Sequence, residues 1–166
     1  MRRTFAFSGL VVALVFGVVT SAAAAISDTF MLVPGIPGES IDDRHADWID
    51  VLSLSQSWAP EGKKGNPCLV QVIKPLDIAG PKLWAAAVTG QIFPQIQIDI
   101  VRAGAQRQRY YEIKLTGAFI ASISTSGDDM FAETLTLSAP TVTLSYYPQR
   151  ADGSLGPPVV STLQCN

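Results

Sequence analysis

Apolar and polar residues alternate in several short segments of this chain, which is the pattern of strands with one face in a core and the other in water. In the segment 95–100 (QIQIDI), isoleucines occupy every second position, with Gln, Gln and Asp between them. The same alternation recurs at 111–116, 133–138 and 141–147, and less regular strand-like runs are 29–33, 48–55, 68–74, 118–124 and 159–163. Many short strands at a spacing of about 8 to 12 residues predict a mainly β domain, folded as a barrel or a sandwich.

One short α-helix is predicted at residues 81–89. Pro81 suits the first helical position, and Gly90 suits the position just past the end. Two apolar pairs lie four residues apart within this segment, Leu83 with Ala87 and Trp84 with Val88. Because residues at this spacing are neighbours on a helix surface, we expect a stripe of these side chains to pack against the sheet.

The first 25 residues have the features of a secretory signal peptide. Arg2 and Arg3 give a positive start, 10–19 is apolar apart from a glycine, and 22–25 supplies small residues for a signal peptidase. A retained membrane helix is the alternative, but it needs about 20 apolar residues, and this run is shorter. We therefore expect residues 1–25 to be removed. Residues 26–166 should form one domain, exported to the periplasm or the cell exterior without stable membrane insertion.

The charge balance argues against nucleic acid as a partner. The full chain carries 12 Lys and Arg against 14 Asp and Glu, and loss of Arg2 and Arg3 leaves 10 against 14. Binding of nucleic acid needs a basic surface that displaces counterions from phosphates. The local basic group of Arg102, Arg107 and Arg109 falls in a predicted hairpin loop, which we interpret as solvated.

Two cysteines, Cys68 and Cys165, allow a single intramolecular pairing. Export to an oxidising compartment would let this disulfide form and persist. It would tie the C-terminal tail to the strand that follows the Pro- and Gly-containing loop at 60–67. Free thiols and an intermolecular bridge are the alternatives that the sequence leaves open.

No catalytic, cofactor or metal site is predicted, and we expect the protein not to be an enzyme. His45 is the single histidine of the chain and no activated nucleophile accompanies it, although it lies among Asp42, Asp43, Asp47 and Asp50. We interpret it as a hydrogen-bonded residue of a turn or strand edge. A zinc site needs about four ligands, typically Cys and His at short spacings, and the chain does not provide them.

Several short motifs occur in the order and spacing of a known family. The stretch 30–54 contains an apolar strand and then, in order, Gly38-Glu39-Ser40, Asp42, His45 and the run 49–52 (IDVL). A second stretch carries Lys74, Asp77, Pro81, Leu83, Ala87 and Gly90, and a third is 142–152 (VTLSYYPQRAD). With these motifs, residues 30–155 resemble the Hcp family, the ring-forming tube proteins of bacterial type VI secretion.

The resemblance implies a small β-barrel of two sheets with one α-helix, which closes into hexameric rings and stacks into a tube that carries effectors. The expected partners are copies of the chain itself, with spike or effector proteins of the secretion system as further candidates. A ring requires two different complementary patches on each subunit. Exposed strand edges, helped by Gln95, Gln97 and Asp99 on a polar wall, are the expected material for these contacts.

Two features differ from the family pattern. A cleaved signal peptide would carry the chain out of the cytoplasm, whereas type VI tubes are built from cytoplasmic subunits. The loop 58–68, which contributes to ring stacking in the family, is often longer and richer in glycine there. These differences support a second hypothesis, an exported envelope binding module that keeps the Hcp-like barrel but is not part of a secretion tube.

Overall fold

The computed structural model describes residues 27–58, 68–102, 107–128 and 130–165. The predicted signal peptide and most of the loop 58–68 lie outside these residues. The described part of the chain contains, in order, β1 (Ser27–Leu32), β2 (Ile49–Val51), β3 (Ser53–Ser57), β4 (Leu69–Pro75), α1 (Gly80–Thr89), β5 (Phe93–Arg102), β6 (Arg109–Ser126), β7 (Ala132–Ser138), β8 (Thr141–Tyr146) and β9 (Val159–Gln164).

The strands pair antiparallel in two sheets that share β6. The path of pairing runs β2-β1-β5-β6-β7-β4-β3, and β8 and β9 form a branch that starts at β6. We call the group β2, β1, β5, β6, β8 and β9 the first sheet, and the group β6, β7, β4 and β3 the second sheet. A mainly β fold with one short helix is therefore confirmed.

The long strand β6 joins the sheets because its two halves have different partners. Residues 111–116 pair with both β5 and β8, whereas 119–126 pair with β7. Gly117 lies between the halves with a φ of 67°, which glycine adopts far more readily than other residues. A bulge follows between Ile120 and Ser122, and bulges bend the strand that contains them. These residues carry one continuous strand from the first sheet into the second.

The expected barrel is corrected in one respect, because the sheet does not close. The path of paired strands ends at β2 on one side and at β3 on the other. These two strands are consecutive in the chain and are separated only by Leu52, whose backbone N–H donates to the carbonyl oxygen of Ile73 in β4 at 2.7 Å. The chain therefore crosses from one sheet to the other at Leu52, and no ladder of hydrogen bonds spans the gap.

One core cluster joins the inner faces of both sheets. The alternation seen in the sequence supplies this core, since the apolar residues of each strand point to the same side. Its fully buried members include Val70, Val72, Ile96, Ile98, Ile113, Leu115, Leu135 and Leu137.

The helix packs on this core through Gly80, Leu83 and Ala86, which are buried. Of the two pairs predicted to form a packing stripe, Leu83 with Ala87 is confirmed, since Leu83 is fully buried and Ala87 packs against the core. The pair of Trp84 and Val88 is not on that stripe, because these residues are 39% and 83% exposed. Gly80 lets the helix come close to the buried Glu133, because a Cβ there would lie 3.0 Å from its carboxylate oxygens.

We expect Gly117→Ala to lower the free energy of unfolding by about 1–2 kcal/mol, because alanine is disfavoured at positive φ. Its Cβ would also lie 3.3 Å from Cγ of Pro140. Thr116→Ala, at the exposed neighbouring position, is the control and should cost less than about 1 kcal/mol. Urea denaturation measures both variants. An unchanged midpoint for Gly117→Ala would show that the bend in β6 does not require glycine.

Candidate assembly surfaces and the buried contacts that support them

His45 fastens the loop before β2 to the first sheet. Its Nδ1 lies 2.7 Å from Oδ1 of Asp42 in the same loop, and its Nε2 lies 3.1 Å from Oδ2 of Asp99 in β5. The ring stacks on Phe30 of β1 with centroids 4.4 Å apart, and meets Trp48 edge-on at 4.8 Å. The residue is 5% exposed. Polar and aromatic contacts together therefore hold this loop on the sheet.

Both ring nitrogens of His45 face carboxylates, which decides what the residue can do. Nδ1 and Nε2 are therefore both occupied by contacts within the domain. The geometry makes His45 a structural link between the loop and the sheet.

The carboxyl group of Asp42 is held in its ionised form by this arrangement. Burial would raise its pKa, but hydrogen bonds from the His45 side chain and the Arg44 backbone, together with the charges of Arg107 and His45, outweigh burial and lower the pKa below its usual range. The Arg107 Nη2 atom lies 3.0 Å from Oδ2 of Asp42 and 2.6 Å from Oδ2 of Asp28. Arg107 thus ties the start of β1 to the same loop.

A chain of ion pairs continues from Asp99 across the first sheet. Nη1 of Arg109 lies 3.3 Å from Oδ2 of Asp99 and 2.5 Å from Oε1 of Glu112, and Nζ of Lys114 lies 2.9 Å from Oε2 of Glu112. Burial would lower the pKa of Arg109, but the charges of Asp99 and Glu112 outweigh it and raise that pKa. Asp99 and Glu112 are thus both paired with basic side chains of the same domain.

This network corrects the expected polar wall. Asp99 is buried and is occupied by His45 and Arg109, so it is not exposed for contact with another subunit. Gln97 is half-buried and donates to both Asp99 and Glu112, at 3.0 and 3.2 Å. Of the three residues expected on that wall, Gln95 is the exposed one.

The arginines of the predicted hairpin loop have separate partners. Arg107 and Arg109 are paired with carboxylates as described, and Arg102 donates to Oε1 of Gln149 at 2.6 Å and lies over the ring of Tyr110. The positive charge of Arg107 and Arg109 is therefore compensated inside the domain.

A second buried network fixes the helix α1. Nζ of Lys74 lies 2.7 Å from Oδ1 of Asp77 and 2.8 Å from Oε2 of Glu133, and it donates to the carbonyl oxygen of Pro75 at 2.7 Å. Nε1 of Trp84 donates to the other oxygen of Glu133 at 3.0 Å. Lys74 and Glu133 have almost no exposed surface. Buried charges are tolerated when they are paired and hydrogen-bonded in this way.

Sequence reasoning missed Glu133 as the partner of Lys74, although the sequence contains a signal. Lys74 continues the buried phase of Val70 and Val72 in β4, and Glu133 continues the buried phase of Leu135 and Leu137 in β7. Two opposite charges in core positions of separate strands indicate a buried ion pair. The pairing register of β4 with β7 then places Lys74 directly opposite Glu133.

Cys68 and Cys165 are joined by a disulfide at the corner between the two sheets. Their Cα atoms lie 5.5 Å apart, and both residues are buried. Cys68 precedes β4 in the second sheet, and Cys165 follows β9 in the first sheet, where its N–H donates to the carbonyl oxygen of Pro140 at 2.8 Å. In the order of pairing, β8, β6 and β7 separate the two strands that this bond links.

The outer face of the second sheet carries no charged side chain. Cross-strand partners share a face, and the register of the four strands aligns the members of this face in three rows. We call it the neutral face; its residues are Ser53, Ser55, Ser57, Leu69, Gln71, Ile73, Thr134, Thr136, Ser138, Phe119, Ser122 and Ser124. Most of its side chains are small hydroxyls, so the surface can form hydrogen bonds without attracting either sign of charge.

Two exposed apolar groups lie outside this face. The edge patch consists of Tyr146, Val159 and Val160, at the start of β9 and the end of β8. Tyr146 and Val159 are cross-strand partners on one face, and Val160 is exposed on the opposite face of the same edge strand. The turn patch lies where β4 ends and β7 begins, as Pro75 pairs with Ala132, and its members are Leu76, Ile78, Met130 and Phe131. The chain thus exposes apolar side chains at two different places on its surface.

The described ranges contain no cluster of metal ligands, no membrane-spanning helix and no unpaired buried side-chain nitrogen or oxygen. Within them, no group of three or more His, Cys, Asp and Glu side chains is arranged to hold a metal ion. The one helix found there is too short to cross a membrane. Each buried side-chain nitrogen or oxygen in those ranges has a hydrogen-bond partner, so no orphaned polar atom there indicates a ligand.

The sequence and the fold of this chain match those of known proteins. Residues 30–146 match the family described as "Type VI secretion system effector, Hcp". The protein hcp1 of Pseudomonas aeruginosa is 33% identical over 141 residues, which cover 76% of this chain and 87% of that protein. A solved type six secretion system protein has a TM-score of 0.76 at 28% identity, with 84% of this chain and 96% of that chain covered. The crystal structure of Hcp1 from Salmonella typhimurium gives a TM-score of 0.71 at 26% identity, with 85% and 95% covered.

We expect Lys74→Met to lower the free energy of unfolding by about 3–5 kcal/mol, because it leaves Asp77 and Glu133 as buried carboxylates without their cation. Lys114→Met is the matched control. Its partner Glu112 keeps Arg109, and the half-exposed Lys114 should contribute less than about 1 kcal/mol. Equal losses for the two variants in chemical denaturation would contradict this role of Lys74.

The lowered pKa of Asp42 predicts a specific dependence of stability on pH. A carboxyl group with a lower pKa in the folded than in the unfolded state stabilises the fold above the unfolded pKa, and this contribution is lost as the pH falls through the folded pKa. The difference in unfolding free energy between wild type and Asp42→Asn should therefore be largest near neutral pH and shrink as the pH falls below the ordinary value of 3.8. Asp43→Asn, in the exposed neighbouring position, serves as control. A difference that stays constant from pH 7 to pH 3 would contradict the prediction.

Proposed function

This chain belongs to the Hcp family of type VI secretion system effectors, and we propose that it acts as a ring-forming structural subunit that carries effector proteins. The match to the Hcp family over residues 30–146 carries this proposal. The solved type six secretion system protein supports it, since nearly all of that protein's chain is matched by this fold. On this view the protein works by assembly and not by making or breaking bonds.

We propose that six copies close into a ring through a head-to-tail contact. The edge patch at β9 of one copy would meet the turn patch of the next, so that each subunit uses both. β9 suits this role because its only strand partner in the described residues is β8, which leaves its outer backbone edge open to another chain. The apolar side chains of the two patches would be buried by the contact, which stabilises it in proportion to the area removed from water.

Export is the second part of the proposal. The charged start, apolar run and small residues of 1–25 support a cleaved signal peptide, with residues 26–166 as one mature domain in the periplasm or outside the cell. Spike and effector proteins of the secretion system are the further partners that the family suggests. A chain that assembles only after export would reconcile its signal peptide with its family.

The mixing of two single variants tests the head-to-tail ring. Val159→Lys disables the edge patch and Phe131→Lys disables the turn patch, so each variant alone should remain monomeric in sedimentation velocity, while the wild type sediments as a hexamer. An equimolar mixture should form a dimer that grows no further. In that dimer, the intact edge patch of the Phe131→Lys chain meets the intact turn patch of the Val159→Lys chain.

Val88→Lys is the matched control for these variants. Val88 is exposed on α1, outside both patches, and the same change of charge there should leave the hexamer intact. Hexamers formed by either patch variant would place the contact elsewhere on the surface. A wild-type chain that stays monomeric at high concentration would instead favour the envelope binding module.

A further inference from the structure

We propose that the Cys68–Cys165 disulfide is a redox latch on β9, so that the chain can assemble only after these two thiols have been oxidised. The role of the edge patch in this inference rests on the proposed ring, and the disulfide would control whether that patch is in place. The attachment of β9 within the subunit can be measured without any ring.

β9 has little to hold it apart from its backbone pairing. It pairs with β8 through residues 159–164, and among its side chains only Leu163 is even half-buried. Its side-chain hydrogen bonds to β8 lie at the surface, between Thr143 and Thr162 at 3.3 Å and between Thr141 and Gln164 at 3.1 Å. A strand with so little buried apolar surface belongs to the part of a fold that opens at low free-energy cost.

The disulfide acts at the end of this weakly held strand. Cys165 directly follows β9, is buried, and donates its N–H to the carbonyl oxygen of Pro140. Its partner Cys68 is buried at the start of β4, and β4 is paired on both sides, with β3 and β7. The bond therefore attaches a loose terminal strand to the firmly paired interior of the second sheet. Apart from this bond, β9 and the residue after it contribute only the half-buried Leu163 and the side chain of Cys165 to the core.

The edge patch depends directly on this attachment. Val159 and Val160 belong to β9 itself, and Tyr146 is the partner of Val159 in the ladder. If β9 detaches, both valines lose their fixed position and β8 becomes the outermost strand of the branch. The side chains and the backbone edge that would meet the next subunit are then absent, although the rest of the domain keeps its pairing.

Oxidation of the pair requires an electron acceptor, for which we name a protein disulfide donor. The thiolate of one cysteine attacks the donor disulfide to give a mixed disulfide, and one thiol of the donor is released. The thiolate of the second cysteine then attacks the sulfur of the first, forming the Cys68–Cys165 bond and releasing the second donor thiol. The chain loses two electrons and two protons, and the donor gains them. A reducing cytoplasm would keep the latch open, and an oxidising compartment would close it.

Hydrogen exchange of the purified chain tests the latch. In the oxidised chain, the amides of β9 that bond to β8 should exchange at least about tenfold more slowly than in the same chain after reduction with dithiothreitol, whereas the amides of β5 should keep their protection. The Cys68→Ser/Cys165→Ser variant should behave like the reduced chain and ignore dithiothreitol. Retained protection of β5 would show that the reduced chain is still folded, and reoxidation of the wild type should restore slow exchange in β9.

Sedimentation velocity on the same samples tests the link to assembly. We expect hexamers from the oxidised chain and monomers from the reduced chain and the serine variant. Equal exchange of β9 in both redox states would overturn the latch, and so would reduced chains that form hexamers as well as oxidised ones. If the oxidised chain also stays monomeric, the proposed ring fails, and the exchange rates of β9 still decide whether the disulfide holds the strand.

Discussion

The passage of β6 from one sheet into the other is the constraint on which the rest of the domain depends. Its first half supports β5 and the β8-β9 branch, and its second half supports β7 and through it β4 and β3. Gly117 permits the change of direction without a break in the strand. Both candidate contact patches therefore have positions set by one continuous segment, so a change in its bend would move them relative to each other.

Two buried polar networks fix the segments that strand pairing does not reach. His45 holds the loop before β2 through Asp42 and Asp99, and Lys74 holds the start of α1 through Asp77 and Glu133. In each network a cationic or protonatable group lies between two carboxylates on different segments. Loss of Lys74 would leave Asp77 and Glu133 without their cation, which is far more costly than the loss of a surface ion pair. Loss of His45 would cost less, because Asp42 keeps Arg107 and Asp99 keeps Arg109. The family motif residues His45, Lys74 and Asp77 thus have structural contacts within the domain.

Local rules predicted most of the elements, and non-local contacts account for what they missed. Alternation located the strands, and Pro81 with Gly90 located the helix to within one residue. The segments 111–116 and 118–124 were predicted as separate strands, yet they form one strand, because Gly117 bends a strand here and does not end it. Asp99 was predicted on an exposed wall since its position alternates with isoleucines. In the folded chain it is buried and contacts His45, which lies 54 residues away in the sequence.

The neutral face has a consequence for how this surface responds to its surroundings. It has no formal charge to titrate and no ion atmosphere to displace, so contacts made there should vary little with ionic strength or acidity. The opposite holds around Arg109 and Arg107, which form several ion pairs with carboxylates. Contacts made by the neutral face should therefore change little when the chain moves from the cell interior to the external medium. The ion pairs of Arg107 and Arg109 should respond to such a change.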